Sequence, residues 1–198
     1  MALLRFLVVL IVFVASATAQ SECEESDLGY ACMKTLSDFY NLHWTLNEDN
    51  VEIAMEGIGA EWVGFSFAEE EGAMAPADAV IGWTMGREFS VEPYRITERA
   101  VAEDNQDEDV TINGRSVTQD DERTIVAFVR SLTDGTVEID PEAETLINYA
   151  IGDMDSLVYH GPNRGQSTVT LSLGAGTAND AAGPADGPAP EQPLEDDL

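Results

Sequence analysis

Residues 61–85 read "EWVGFSFAEEEGAMAPADAVIGWTM" and hold two apolar runs on either side of a short acidic and alanine-rich stretch. In the first run Val63, Phe65 and Phe67 share one face, with small residues between them. A period of two is typical of a β-strand, and the glycine and proline between the runs indicate a loop. The stretch therefore predicts two strands joined by a loop that carries Met74.

The same period of two recurs along the chain. Further β-rich runs are "NVEIAMEG" (50–57), "RTIVAFVR" (123–130), "TLINYAIG" (145–152), "SLVYH" (156–160) and "STVTLSL" (167–173). At least seven strands at this spacing, without a long amphipathic helix, predict an all-β, immunoglobulin-like two-sheet β-sandwich. Asn113 and Gly114 predict a hairpin turn, because both tolerate a positive φ.

The two ends of the chain differ in amino-acid composition from the part between them. Residues 1–19 have one arginine, a short apolar run and small residues before residue 20, which predicts a signal peptide. We therefore expect a secreted, extracellular protein without a membrane span. Residues 174–198 hold four of the eight prolines and six acids but no base, which predicts a disordered tail. Between these ends we expect an N-terminal segment at 20–35 and a folded domain at 36–173.

Charge and cysteine content narrow the function further. Asp and Glu number 38 against nine Lys and Arg, for a net charge of -29. Such a surface repels phosphate, so we do not expect a nucleic-acid partner. Cys23 and Cys32 are the only cysteines, and in an oxidising compartment such a pair is expected to form a disulfide. The sequence has no phosphate loop, nucleophile elbow or zinc-protease motif, so no catalytic constellation favours an enzyme.

The chain has two histidines in different contexts. His43 precedes Trp44 in a strand, and alternation then predicts Trp44 in the core and His43 on the surface. His160 ends a run before a glycine-led loop, and Met74 lies at the entrance of a strand. Ligand sites are often built from such loops, whereas a lone methionine is usually a core residue. From the residues alone, Met74 and His160 are either structural or the two halves of one site.

The order of the motifs resembles that of the DOMON family over residues 36–173. The resemblance rests on "LHWTL", "VEIAMEG", "EWVGFSF", "MAPADAVIGW", "TIVAFVR", "LINYAIG" and "YHGPNRGQSTVTL", in that order. Haem-binding members of this family ligate a b-type haem with a methionine before the "ADAVIG" strand and a histidine in the "YH" segment. At the matching positions, the resemblance implies Met74 and His160 as axial ligands of a non-covalent haem b.

The resemblance also implies a function. Methionine and histidine fill both axial positions of the iron, which suits one-electron transfer and leaves no open site for oxygen. The expected partner is a redox protein or a small electron donor or acceptor. As further candidates for the haem pocket we consider aromatic residues against the macrocycle and arginines at its propionates. These are Phe65, Phe67, Trp83 and Phe128, with Arg130 and Arg164.

A haem-free DOMON module is the alternative that the sequence leaves open. Such a module would bind carbohydrate or another protein through exposed aromatic side chains. Trp62, Tyr94 and Tyr149 are the residues that this alternative requires at the surface.

Overall fold

A computed structural model describes residues 23–85, 88–97, 106–154 and 160–172. The predicted signal peptide and acidic tail lie outside these ranges, as does the predicted strand at 156–160 except for His160. No helix long and apolar enough to cross a bilayer occurs in the described part. The described ranges form ten strands: β1 (Cys32–Ser37), β2 (Tyr40–Leu46), β3 (Asn50–Ile58), β4 (Trp62–Ala68), β5 (Ala77–Met85), β6 (Glu88–Ile96), β7 (Ile112–Gln119), β8 (Arg123–Ser131), β9 (Thr145–Gly152) and β10 (Arg164–Val169).

The strands form two antiparallel sheets of five strands each, in the orders β1-β2-β3-β8-β7 and β10-β9-β4-β5-β6. We name them the β3 sheet and the β4 sheet after their central strands. The chain passes from one sheet to the other after β3, after β6 and after β8. The all-β two-sheet sandwich predicted from the alternation is confirmed. The β3 sheet begins at Cys32, ahead of the domain start expected at residue 36.

The core lies between the two sheets. Strand β8 shows why the sequence folds this way, because every second residue from Thr124 to Arg130 is buried. The largest apolar residues of the core include Trp44, Ile53, Phe65, Phe67, Phe128 and Ile147. Fully burying one such side chain contributes roughly 1.5–3 kcal/mol, so this layer is the main source of stability.

The predicted hairpin turn at Asn113 and Gly114 is wrong. Both residues lie inside β7, where the pairing with β8 shifts register between Asn113 and Ser116. Gly114 does have a positive φ of 57°, but it serves a β-bulge, which also favours glycine in that conformation. The turn between β7 and β8 follows instead at residues 120–123, closed by a 3.0 Å bond from Asp120 N to Arg123 O.

The disulfide between Cys23 and Cys32 is present, with Cα atoms 5.2 Å apart. It ties the segment before β1 to the β3 sheet, and Glu24 forms a β-bridge with Met33 beside it. This segment extends the β3 sheet beside its edge strand β1, and its Ser26 lies within hydrogen-bonding distance of His43 on β2.

Candidate functional site

The β4 sheet carries a second apolar cluster on the face that points away from the core. Its buried members are Trp62, Ala77, Ala79, Ile81, Tyr94 and Ile96, and Met74, Ala75, Trp83 and Ala150 pack against them. The outer face of an antiparallel sandwich is usually polar and solvated. We call this group of ten residues the outer apolar face and take it as the candidate site.

Neighbouring strands align small residues across the middle of this face. Gly64 pairs with Ala150 on one side and with Ile81 on the other. In the next row Ser66 pairs with Asn148 and Ala79. The two rows lie two residues apart along the strands, which is about 6.7 Å. Four of these six residues have short side chains, and the indole of Trp62 lies over Gly64 and forms part of the apolar surface of this face.

The loop that carries Met74 is held to the Asn148 row. Asn148 Nδ2 and Gln166 Nε2 each donate to the carbonyl of Ala73 over 3.3 Å, and Gln166 Nε2 also donates to Asn148 Oδ1 over 2.8 Å. The amide of Gly72 donates to Gln166 Oε1 over 2.6 Å. These bonds keep the half-buried Met74 against the outer apolar face.

His160 lies in the turn that leads into β10. Its carbonyl accepts the amide of Asn163 over 3.2 Å, and Gly161 takes a positive φ of 57°. His160 Nδ1 lies 3.0 Å from the carbonyl of Gly161, to which Arg164 Nη1 also donates. A ring that donates through Nδ1 has its metal-binding lone pair on Nε2, as is usual for histidine ligands of metals.

Register connects the His160 turn to the same outer apolar face. Arg164 pairs with Ala150, whereas a Cβ on Gly165 would overlap the ring of the core residue Tyr149. Alternation therefore directs Arg164 outward, and its guanidinium lies 3.5 Å from His160 Nδ1. The Met74 loop and the His160 turn are thus anchored to adjacent rows of one face.

The other predicted pocket residues divide between the two sides of the β4 sheet. Trp83 packs against the outer apolar face. Phe65, Phe67 and Phe128 lie in the core between the sheets, so the structure does not bring them to the face that holds Met74. Neighbouring residues of a strand point to opposite sides, and we therefore leave these three out of the site.

Arg130 is also an interior residue, with 1% of its surface exposed. Its Nη2 donates to Asp78 Oδ2 over 3.3 Å and to the carbonyl of Val137 over 3.0 Å, and its guanidinium stacks 4.5 Å from the ring centre of Phe67. These contacts engage Arg130 inside the sandwich, away from the outer apolar face. We leave Arg130 out of the site for this reason.

The three aromatic residues required by the carbohydrate alternative are buried. Trp62, Tyr94 and Tyr149 expose 3%, 1% and 8% of their surfaces, so the expectation of exposure is wrong. Trp62 and Tyr94 belong to the outer apolar face, and the hydroxyl of Tyr149 donates across the core to the carbonyl of Leu36 over 3.0 Å. A sugar at the surface therefore cannot stack on these aromatic rings.

His43 is fully buried, which corrects the expectation of a surface histidine. Its Nδ1 lies 2.8 Å from Ser26 Oγ and its Nε2 lies 3.4 Å from Glu56 Oε2. The segment tied by the disulfide covers it, and alternation within β2 cannot predict a cover from outside the sheet. The order Ser26, His43, Glu56 matches a hydrolase triad in residue types. However, Ser26 is buried and its Oγ accepts the amide of Leu28 over 3.1 Å, so the group is a structural network.

The pKa values of His43 and Glu56 are both shifted downward, which fixes their protonation states at neutral pH. Burial lowers the pKa of His43, and its contact with Glu56 offsets only part of that effect. Burial alone would raise the pKa of Glu56, but bonds from Asn41, Arg123 and His43 outweigh burial and lower it. The favoured state pairs a neutral imidazole with an ionised carboxylate.

The free energy of unfolding is expected to fall as the pH drops below about 6.5. Below that pH His43 binds a proton more readily in the unfolded chain than in the folded chain. One such proton lowers the free energy of unfolding by at most about 1.4 kcal/mol per pH unit. The variant His43→Gln should lack this slope. Urea unfolding on both sides of about pH 6.5 is the measurement. Equal losses of stability in the wild type and the variant would contradict the assignment.

Comparison with known proteins agrees with this architecture. Residues 36–152, more than half of the chain, match the family model of the DOMON domain. The chain is similar to the cytochrome domain of Myriococcum thermophilum cellobiose dehydrogenase, with a TM-score of 0.50 and 12% identity over 67% of this chain and 75% of that chain. It is also similar to the cytochrome b domain of pyranose dehydrogenase from Coprinopsis cinerea, with a TM-score of 0.54 and 14% identity over 67% and 76% of the two chains.

At these identities the likeness to the two cytochrome domains concerns the fold alone. No curated protein sequence matches the chain. The family match covers the strands from β2 to β9, and it confirms the resemblance found in the sequence motifs. The chain therefore belongs to the DOMON domain family.

Proposed function

We propose that this domain binds a b-type haem on the outer apolar face and acts as a secreted one-electron carrier. One observation carries the proposal: the Met74 loop and the His160 turn are anchored to adjacent rows of the same face. That face is apolar where a solvated sandwich would be polar. The two similar solved structures are described as cytochrome domains, which supports the same conclusion.

The residues of the site fit a haem in their chemistry. A thioether and an imidazole are the axial ligands of many one-electron cytochromes. Met74 rests on apolar side chains, and the Nδ1 contact of His160 leaves Nε2 as the basic nitrogen. Ser66, Ala79 and Ala150 add little side-chain volume to this face, and the indole of Trp62 over Gly64 adds an apolar surface. Met74 and His160 would hold the iron, and the outer apolar face would bury the macrocycle.

When bound, the haem supplies reversible one-electron chemistry. The Met74 thioether is a soft, weak donor that stabilises the ferrous state, whereas the His160 imidazole binds both oxidation states. The guanidinium of Arg164 lies 3.5 Å from His160 Nδ1, and a positive charge there disfavours additional charge on the iron. The apolar side chains exclude water, which also favours the less charged ferrous state. These residues together favour a reduction potential above that of a solvent-exposed haem.

Secretion and partner choice follow from other parts of the chain. The predicted signal peptide at 1–19 directs export, and the disulfide between Cys23 and Cys32 suits an oxidising compartment. The net charge of -29 favours a redox partner with a basic docking surface, and association should weaken with added salt.

Titration of the haem-free protein with haem tests the proposal. We expect one haem per chain and, after reduction, the sharp absorption bands of low-spin ferrous iron. Met74→Leu removes the thioether but keeps the apolar volume, so we expect haem still to bind while the low-spin bands are lost.

Met33→Leu is the matched control, because Met33 lies on β1 of the β3 sheet, away from the outer apolar face. Its spectrum should equal that of the wild type. A wild-type protein that remains colourless after titration would overturn the proposal. An unchanged spectrum in Met74→Leu would remove Met74 from the ligand set.

A further inference from the structure

Trp62 presents an unusual polar group on the outer apolar face. Its side chain is almost entirely buried, with 3% of its surface exposed. Within residues 23–85, 88–97, 106–154 and 160–172, no acceptor lies within hydrogen-bonding distance of Trp62 Nε1. A buried N–H without an acceptor is costly, and native structures seldom retain one without a reason.

Two glycines fix the position of this indole. A Cβ on Gly152 would overlap Trp62 Nε1, and a Cβ on Gly64 would lie 3.3 Å from Cζ3 of the same ring. The ring therefore lies across both glycines on the outer side of the β4 sheet, with Nε1 over the last residue of β9. The amide of Ile151, next to Gly152, donates to the carbonyl of Asn163 in the His160 turn over 3.0 Å, so the N–H lies at the His160 end of the candidate site.

Few cations on the described part of the chain remain for binding an anionic group. Four of its arginines form ion pairs with carboxylates of this chain, namely Arg95, Arg115, Arg123 and Arg130. Arg164 donates to the carbonyl of Gly161, and Lys34 donates to the carbonyl of Thr168 over 2.9 Å. A neutral donor that is already desolvated and rigid can bind an ionised acceptor strongly, because hydrogen bonds to charged groups are about twice as strong as neutral ones.

We propose that Trp62 Nε1 donates a hydrogen bond to a propionate carboxylate of the bound haem. Trp62 is then a positioning residue that orients the haem edge bearing the carboxylates, and the unpaired N–H gains its acceptor only in the haem complex. This inference rests on the proposed function and adds a specific recognition contact to it.

Comparison of haem with haem dimethyl ester tests the contact. The ester has the same macrocycle and iron but lacks ionised carboxylates. Absorption titration of the haem-free wild type and of Trp62→Phe gives the affinity ratio of haem to ester for each protein. We expect the ratio to be about tenfold lower in Trp62→Phe. Packing lost with the indole affects both ligands alike and cancels in the ratio.

Trp44→Phe is the control variant. It also removes a buried indole N–H, which donates to the carbonyl of Ser172 over 3.2 Å, and Trp44 lies in the core on β2 of the β3 sheet, not on the outer apolar face. Its haem-to-ester ratio should equal that of the wild type. An unchanged ratio in Trp62→Phe would overturn the role of Trp62 and leave the proposed function intact. Absence of haem binding by the wild type would overturn both.

A measurement on the wild type addresses the case in which Trp62→Phe does not fold. Hydrogen exchange at the Trp62 indole, followed by NMR, should slow on binding haem and slow much less on binding the ester. Equal protection by the two ligands would overturn the proposed contact.

Discussion

His160→Ala is expected to lower the affinity for haem by about 100-fold or more and to abolish the low-spin spectrum. The imidazole is the stronger of the two proposed axial donors, and its ring is oriented by the contact of Nδ1 with the carbonyl of Gly161. An alanine supplies no donor, and the thioether of Met74 alone is a weak ligand. Absorption titration and the spectrum after reduction with dithionite are the measurements.

The second histidine of the chain provides a matched control for this prediction. His43 is buried on the outer side of the β3 sheet, under the segment that the disulfide ties down. His43→Gln should therefore alter stability without altering the haem spectrum. If His43→Gln lost haem and His160→Ala retained it, the assignment of the ligand would be wrong.

Asp78→Ala is expected to destabilise the domain by roughly 3–5 kcal/mol, a large part of the stability of an ordinary domain. Asp78 Oδ2 accepts from Arg130 and from the amides of Thr136 and Val137 over 2.8 and 3.0 Å. Its Oδ1 accepts from Arg95 over 2.6 Å. Removal of the carboxylate leaves a buried guanidinium without its counter-charge.

The contribution of Asp78 to the free energy of unfolding is expected to decrease at acidic pH. Burial alone would raise the pKa of Asp78, but hydrogen bonds from Val137, Thr136 and Arg95 outweigh burial and lower it. Its stabilising effect is therefore fully present at neutral pH and is lost as the pH falls from about 3.9 through the lower folded-state pKa.

Glu92→Ala is the control for Asp78→Ala, since Glu92 is also a carboxylate paired with an arginine. The pair of Glu92 with Arg115 is half-exposed, at 2.7 Å, and such pairs contribute about 1 kcal/mol or less. Urea unfolding at neutral pH compares the two variants. Equal, small losses would show that Arg130 can rehydrate when Asp78 is absent.

Most of the strands, the fold class and the family are predictable from the amino-acid sequence alone, although β1 and β6 were not predicted. Alternation is a local property of the chain, so it identified the strand runs around residues 50–57, 61–68 and 123–130 before any pairing was known. The disulfide was also predictable, because the sequence has only two cysteines and a predicted signal peptide. The proposal that Met74 and His160 form one site came from the family resemblance, since neither residue type is distinctive alone.

Which side of each strand faces the core, and which side faces the candidate site, depends on the tertiary packing. Strand β4 is buried on both faces and has apolar residues at both alternating sets of positions. The sequence therefore does not show that Phe65 faces the core while Trp62 lies on the opposite side of the β4 sheet. His43 is buried because the segment before β1, which contains Ser26, covers it. In both cases burial depends on contacts between residues that are distant in sequence. The alternation of a strand shows which residues share a face, but not what packs against that face.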